Sequence, residues 1–182
     1  MARLVALLRG INVGGHKKVP MARLREVLEG AGFEDVRTYV QSGNVVLSAP
    51  LRRSPAKVGG EIEAAIEREF GFDVTVVMRT RDEIAALVDD DPLGDVATDP
   101  KYRIVVFLAK KLDAERLADV DPEQFAPEAF ALRARELVMW APNGQADSQI
   151  VKTLTEKRTG VTGTARNWRT VEKLLALADE AG

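Results

Sequence analysis

The alternation of apolar and polar positions divides the chain into short elements. Residues 3–8 (RLVALL) form an apolar run of strand length, followed by the loop 9–20 (RGINVGGHKKVP). Met21, Leu24, Val27 and Leu28 then recur on one helical face, and the glycines at 30 and 32 end that helix. Residues 36–41 and 44–48 predict two strands joined across Ser42 and Gly43, a hairpin signal. Ser54 and Pro55 occupy cap and first-turn positions of a helix in which Val58, Ile62, Ile66 and Phe70 stack on one face until Gly71 stops it. Residues 72–78 predict a fourth strand. The order is β-α-β-β-α-β, the split βαβ or ferredoxin-like unit.

Thr80 and Glu83 have the spacing of a capping box for a helix through Ile84, Leu87 and Val88. Residues 89–100 (DDDPLGDVATDP) hold five acids, two prolines and a glycine and read as a linker. Beyond it, 103–109 is a near-continuous apolar strand, Asp113 can cap a short helix, and 129–141 predicts a second hairpin turning near Arg135. Two further helices are predicted, from about 148 and about 164. The expected class is α/β (α+β), with two tandem ferredoxin-like (split βαβ) units in one compact chain: 1–88, the acidic linker 89–100, and 101–182.

Composition narrows the chemistry. The 182 residues are 46% hydrophobic and 30% charged, with no cysteine and a single histidine, His16. Disulfides, thiolate metal sites and cysteine nucleophiles are therefore excluded, and a lone histidine removes most histidine-based metal sites and catalytic triads. No apolar run reaches the ~18 to 20 residues of a membrane span, and the amino terminus lacks the pattern of a signal peptide. A soluble cytoplasmic protein is expected, with neither metal nor cofactor and no membrane association.

The net charge of -2 conceals an asymmetry. Residues 1–25 carry +6 with no acid, 26–147 carry -10, and 148–182 carry +2. An anion-binding surface should therefore use the two ends, although a charge run is also what a solvated face requires. In the first basic end, the loop from Arg9 through Asn12, Gly14, Gly15, His16, Lys17 and Lys18 follows a strand and precedes a helix, as a phosphate-binding P-loop does. It departs from that motif because His16 and Lys17 stand where Lys and Ser or Thr are needed. What survives is a flexible backbone with N–H groups that can approach a ligand, in positive surroundings.

The segment TYVQSGNVV at 38–46 gathers Gln41, Ser42 and Asn44 beside the strand end. No G-x-S-x-G pattern or adjacent histidine makes Ser42 a nucleophile. In the predicted carboxy-terminal helix, Trp168 falls on the apolar face with Val171, Leu175 and Ala178 and reads as core before stacking platform. Arg166 and Arg169 would sit in its first turns and Asp179 and Glu180 in its last, against the helix dipole at both ends. An anion near the N-terminus, contacted by Arg166, Asn167 and Arg169, would explain that inversion.

Together LLRGINVGG at 7–15, TYVQSGNVV at 38–46 and TARNWRTV at 164–171 resemble a bacterial family of unknown function, number 1697 in the domain-of-unknown-function series. The resemblance spans nearly the whole chain. Leu47 stands where an aromatic residue is expected and Ala165 where threonine is, and Leu47 argues against RNA-type stacking on that strand. The resemblance brings no activity, and implies that the three motifs belong together and meet in space. The expected function is binding of a phosphate-bearing or other anionic small ligand through Arg9, Asn12, Gly14, Gly15, Lys17, Lys18, Gln41, Ser42, Asn44, Arg166, Asn167 and Arg169. Alternatives are an enzyme using the same cluster, or a nucleic-acid-binding or homo-oligomeric interaction module. A monomer or a homodimer is compatible with each.

Overall fold

In the computed structural model, which describes residues 1–180, the first apolar run becomes β1 (Ala2–Leu8). It is followed by α1 (Met21–Gly30), the hairpin β2 (Glu34–Tyr39) and β3 (Asn44–Ala49), α2 (Pro55–Phe70), β4 (Val76–Thr80) and α3 (Arg81–Asp89). The four strands form an antiparallel sheet in the order β2-β3-β1-β4. Leu4, Ala6 and Leu8 of β1 face a core shared with Val45 and Leu47 of β3, Leu24 and Leu28 of α1, and Ile62 and Ile66 of α2. Val5 and Leu7, on the opposite face of the strand, are also fully buried. Burial of both faces is why the strand reads as a continuous apolar run instead of an alternation.

The second half contains β5 (Arg103–Leu108), the hairpin β6 (Ala129–Leu132) and β7 (Glu136–Trp140), α4 (Gln149–Thr153), α5 (Glu156–Thr159), β8 (Gly163–Asn167) and α6 (Trp168–Asp179). Short 3-10 turns replace a helix between β5 and β6, one capped by Asp113 as its side chain accepts from the Glu115 N–H. The second sheet is antiparallel in the order β6-β7-β5-β8. The protein is thus an α+β chain with two four-stranded antiparallel sheets.

By its contacts the chain divides into two compact units, one formed by Met1–Ala86 with the chain from Lys173 on, the other by Leu87–Glu172. The divisions fall within α3 and α6. The acidic segment 89–100 is folded: Leu93 and Ala97 are buried, and Asp91 accepts from the Leu93 N–H at 3.1 Å. Among the described residues no helix is long and apolar enough to cross a membrane.

Two boundaries differ from the sequence pattern. The helix expected from 164 starts at Trp168, because 163–167 pair with β5 in register, Val105 opposite Arg166 and Phe107 opposite Thr164. Thr164 and Arg166 are buried and Ala165 between them is exposed, a period of two that five residues display only briefly. The strand expected over 72–78 begins at Val76, whose N–H is taken by the Glu63 carboxylate at 2.8 Å.

Local signals elsewhere act as physics requires. Ser54 caps α2 through the Lys57 N–H, and Gly71 ends it in the left-handed region. Thr80 and Glu83 form a reciprocal capping box on α3, the Thr80 N–H donating to Glu83 at 2.8 Å and the Glu83 N–H to Thr80 Oγ1 at 3.1 Å. Thr80→Ala removes the hydroxyl acceptor and should cost about 1 kcal/mol in urea unfolding, whereas Thr80→Ser should cost a few tenths of that.

Candidate functional site

The glycine-rich loop is a fixed structure. Leaving β1, its Arg9 N–H donates to the Thr75 carbonyl at 2.9 Å. Asn12, at φ 54°, fastens the base: its amide donates to the carbonyls of Val19 at 2.9 Å and Gln41 at 2.7 Å, and its Oδ1 accepts from the Val19 N–H at 2.8 Å. The Asn12 N–H donates to Lys17 O, and the His16 N–H to Val13 O, both at 3.1 Å. Residues 12–17 therefore form a miniature hairpin with Gly14 and Gly15 at its tip. Both tip residues have positive φ, 60° and 78°, which is what a tight hairpin turn demands and why glycine stands at each.

Of the basic side chains, Lys17 donates through Nζ to the Asp73 carbonyl and lies 5.8 Å from the centre of the Phe72 ring. Arg9, His16 and Lys18 are exposed. Asn12 Nδ2 ties this loop to the turn between β2 and β3. There Gln41 and Ser42 are exposed, and Asn44 is fully buried with its amide donating to Tyr39 O at 3.1 Å and Ser42 Oγ at 2.9 Å. Gly43, at φ 78°, offers its carbonyl to the Leu8 N–H at 2.8 Å. Val40 adopts φ 51°, a strained value for a β-branched residue, and is 52% exposed. The structure thus brings together the first two motifs, on the first unit.

Arg166, Asn167 and Arg169 belong to the second unit, and their roles differ from the expected helix start. Arg166 is buried on β8, where Nη1 donates to Thr164 Oγ1 at 2.7 Å and the Ala165 carbonyl at 2.8 Å. Burial pushes its guanidinium down to about 10, so it remains protonated at neutral pH. The unfolded chain holds that proton more tightly, so the cost of burying the charge is relieved only as the pH rises from about 10 toward the ordinary arginine range. Asn167 caps α6, accepting from the Arg169 N–H at 3.0 Å, while its amide reaches the carbonyls of Pro100, Lys101 and Arg103. Arg169 is the one of the three that is exposed, 3.6 Å from the Asp99 carboxylate.

The inverted charges of α6 have an internal cause. Asp179 accepts from Arg81 at 2.6 Å and Glu180 from Arg37 at 3.2 Å, while Arg3 donates to the Leu177 carbonyl at 3.3 Å. Three arginines from elsewhere in the first unit supply the positive charge that the last turn wants. No external anion is needed to account for the pattern, and Arg166 lies outside the helix altogether.

Sequence reasoning passed over two buried arginines. Arg79 on β4 is fully buried and donates to the Met78 carbonyl at 2.8 Å. Arg103 on β5 pairs with Asp91 and lies 3.7 Å from the centre of the Trp168 ring. Both stand at the end of an apolar run, Arg103 at the first position of β5 and Arg79 at the penultimate position of β4.

A family model described as "Protein of unknown function (DUF1697)" matches residues 1–137. The chain belongs to the DUF1697 family. The match takes in the glycine loop and the SGN turn, so both are features of a DUF1697 protein. A solved structure of a conserved bacterial protein, SP0830 from Streptococcus pneumoniae, is 22% identical with a TM-score of 0.76. The alignment covers 97% of this chain and 98% of that one, and it supports the fold alone. No curated protein matches the chain.

Proposed function

We propose that this DUF1697 protein binds a phosphate-bearing small ligand, of nucleotide type, at the rim of its first unit formed by loop 9–18 and turn 40–43. One observation carries the reading: the acid-free loop 9–18, of charge +3, is pinned by the hairpin at 12–17 and carries the exposed residues Arg9 and Lys18 beside the exposed glycines 14 and 15. A preordered loop loses little entropy on binding, and cationic side chains with backbone donors suit phosphoryl oxygens. Val13 and Val40, 67% and 52% exposed on the same two segments, add the apolar surface an organic phosphate needs for its non-ionic part. Asn12, Gln41, Ser42 and Asn44 act in this reading as the frame, and Gly14 and Gly15 as the tip that approaches the ligand. The third motif lies in the second unit, where Arg166 and Asn167 hold the strand and the helix cap.

The enzyme alternative has less support. The Ser42 hydroxyl accepts a hydrogen bond from the Asn44 amide, and an amide donor cannot take the proton a nucleophilic serine must lose. Nucleic acid also ranks below a small ligand, because the strands adjoining the loop are aliphatic and the chain as a whole is acidic.

We further infer that the two units are tandem ferredoxin-like repeats. Their strand orders, β2-β3-β1-β4 and β6-β7-β5-β8, are the same permutation. Arg79 opposite Val5 and Arg166 opposite Val105 occupy matching penultimate positions of the last strand, each followed by a residue, Thr80 or Asn167, that caps the next helix. The setting this reading assumes is the bacterial cytoplasm, as a monomer or a homodimer.

Calorimetric titration with adenosine diphosphate, at about 50 and about 200 mM salt, tests the ligand proposal. Arg9→Ala with Lys18→Ala should weaken binding about tenfold or more and flatten its salt dependence. Binding that is identical in the double variant, or absent from the unaltered protein at low salt, would overturn it.

A further inference from the structure

The second unit contains a cleft of about 470 Å³ lined by Arg116, Asp119, Thr155, Lys157 and Arg158. Its one acid is already matched, because Asp119 pairs with the Arg158 guanidinium. Glu156, next in sequence to the lining, is engaged by the Thr162 hydroxyl at 2.9 Å. Among the described residues, Arg116 and Lys157 are left as the uncompensated charges of the cleft. Thr155 stands at the N-cap of α5 yet its side chain makes no capping hydrogen bond, which leaves its hydroxyl for another partner.

The Arg116 guanidinium lies close to the backbone opposite. A Cβ at Gly160 would come within 2.8 Å of Arg116 Cζ and Nη1, and Gly160 also needs φ 67° to end α5. The glycine therefore lets the guanidinium lie against the chain that carries Lys157 and Arg158. A helix-dipole preference explains the two bases in the last turn of α5. It does not explain a third cation brought onto the same cleft, or a cap hydroxyl withheld from capping.

From this geometry we propose that the cleft binds a compound with adjacent phosphoryl groups, a condensed phosphate or an ester of one, through Arg116, Lys157 and Thr155. Two free cations and a hydroxyl match an anion of at least two charges, and the guanidinium can engage two oxygens at once. The cleft is shallow and open, with room for more than one phosphoryl group. No aromatic or aliphatic side chain lines it, so recognition rests on the phosphoryl groups and not on a base. This site is independent of the one proposed on the first unit, and Thr155, Lys157 and Arg158 lie beyond the residues of the family match.

The probe is sodium pyrophosphate, titrated calorimetrically into the intact protein at about 50 mM salt. In the Arg9→Ala, Lys18→Ala background, where the loop of the first unit no longer contributes, Arg116→Ala and Lys157→Gln should each weaken the remaining binding at least about fivefold, and the pair should abolish it, with circular dichroism and melting unchanged because both side chains are exposed. Orthophosphate and sulfate should bind at least about tenfold more weakly than pyrophosphate. The proposal is overturned by a lack of saturable binding in the unaltered protein, by unchanged binding in the Arg116 and Lys157 double variant, or by equal affinity for all three anions.

Discussion

Gly43→Ala is expected to destabilise the protein by about 3 kcal/mol, adding strain of about 1–2 kcal/mol for a side chain at positive φ to an overpacking cost of similar size. Gly43 sits at φ 78°, and a Cβ built there lies 2.7 Å from the Leu8 Cβ and 3.0 Å from Ile11 Cδ1. Neither neighbour can retreat, since Leu8 and Ile11 are each 1% exposed and the closest atom is fixed to the backbone of β1. Gly14→Ala supplies the comparison, because its φ of 60° imposes the strain while the nearest atom, His16 Cδ2, stays 3.9 Å away. It should cost only about 1 kcal/mol. Urea unfolding of both variants separates the terms, and equal losses would remove the packing argument. Because Ile11 adjoins Asn12, the strain should also reach the loop that Asn12 fastens, so Gly43→Ala should weaken adenosine diphosphate binding without removing any charge.

That glycine marks what the sequence could and could not convey. The SGN turn was legible as a hairpin because glycine between two β-rich runs has a local meaning. Its close approach to Leu8 was not, because 35 positions separate the two residues and no period links them. Caps were similarly readable: Ser54, Thr80, Asp113 and Ser148 all act within three residues of where they stand. Strand β8 was hidden for the opposite reason. Its five residues precede a strong 3.6-residue pattern starting at Trp168, and the longer signal absorbed the shorter one.

The candidate site was legible in part. The loop and the turn at 40–43 do meet, through the Asn12 amide and the Gln41 carbonyl, a contact that residue types alone could not specify. Arg169 stands in the first turn of α6 as expected, whereas Arg166 lies on β8, and the dipole argument for both ends treated the helix in isolation. Once Arg81 and Arg37 are seen to hold Asp179 and Glu180, the acids of the last turn are explained by tertiary ion pairs. The sequence pattern also reads the acidic run at 89–91 only as part of a linker, whereas Asp91 is a specific partner for a buried arginine.

That pair supports the second large prediction. Arg103→Ala should cost about 3 kcal/mol, the order expected when one member of a mostly buried ion pair is removed and the other remains. The Arg103 side chain is 6% exposed and that of Asp91 21%, so solvent screens the pair only partly. The guanidinium also stacks on the Trp168 ring at 3.7 Å, an interaction of about 1–2 kcal/mol in a desolvated setting. Against these gains stands its Nε, buried without a hydrogen-bond partner. Arg103→Lys keeps the charge and loses the plane, and should cost about half as much. Asp91→Asn alone should destabilise by leaving the guanidinium unpaired, and the Arg103→Ala, Asp91→Asn double variant should lose at least about 1 kcal/mol less than the two single losses added together. Additive losses in urea unfolding would show that Asp91 acts only by capping Leu93, and that the folded acidic segment owes nothing to the charge of Arg103.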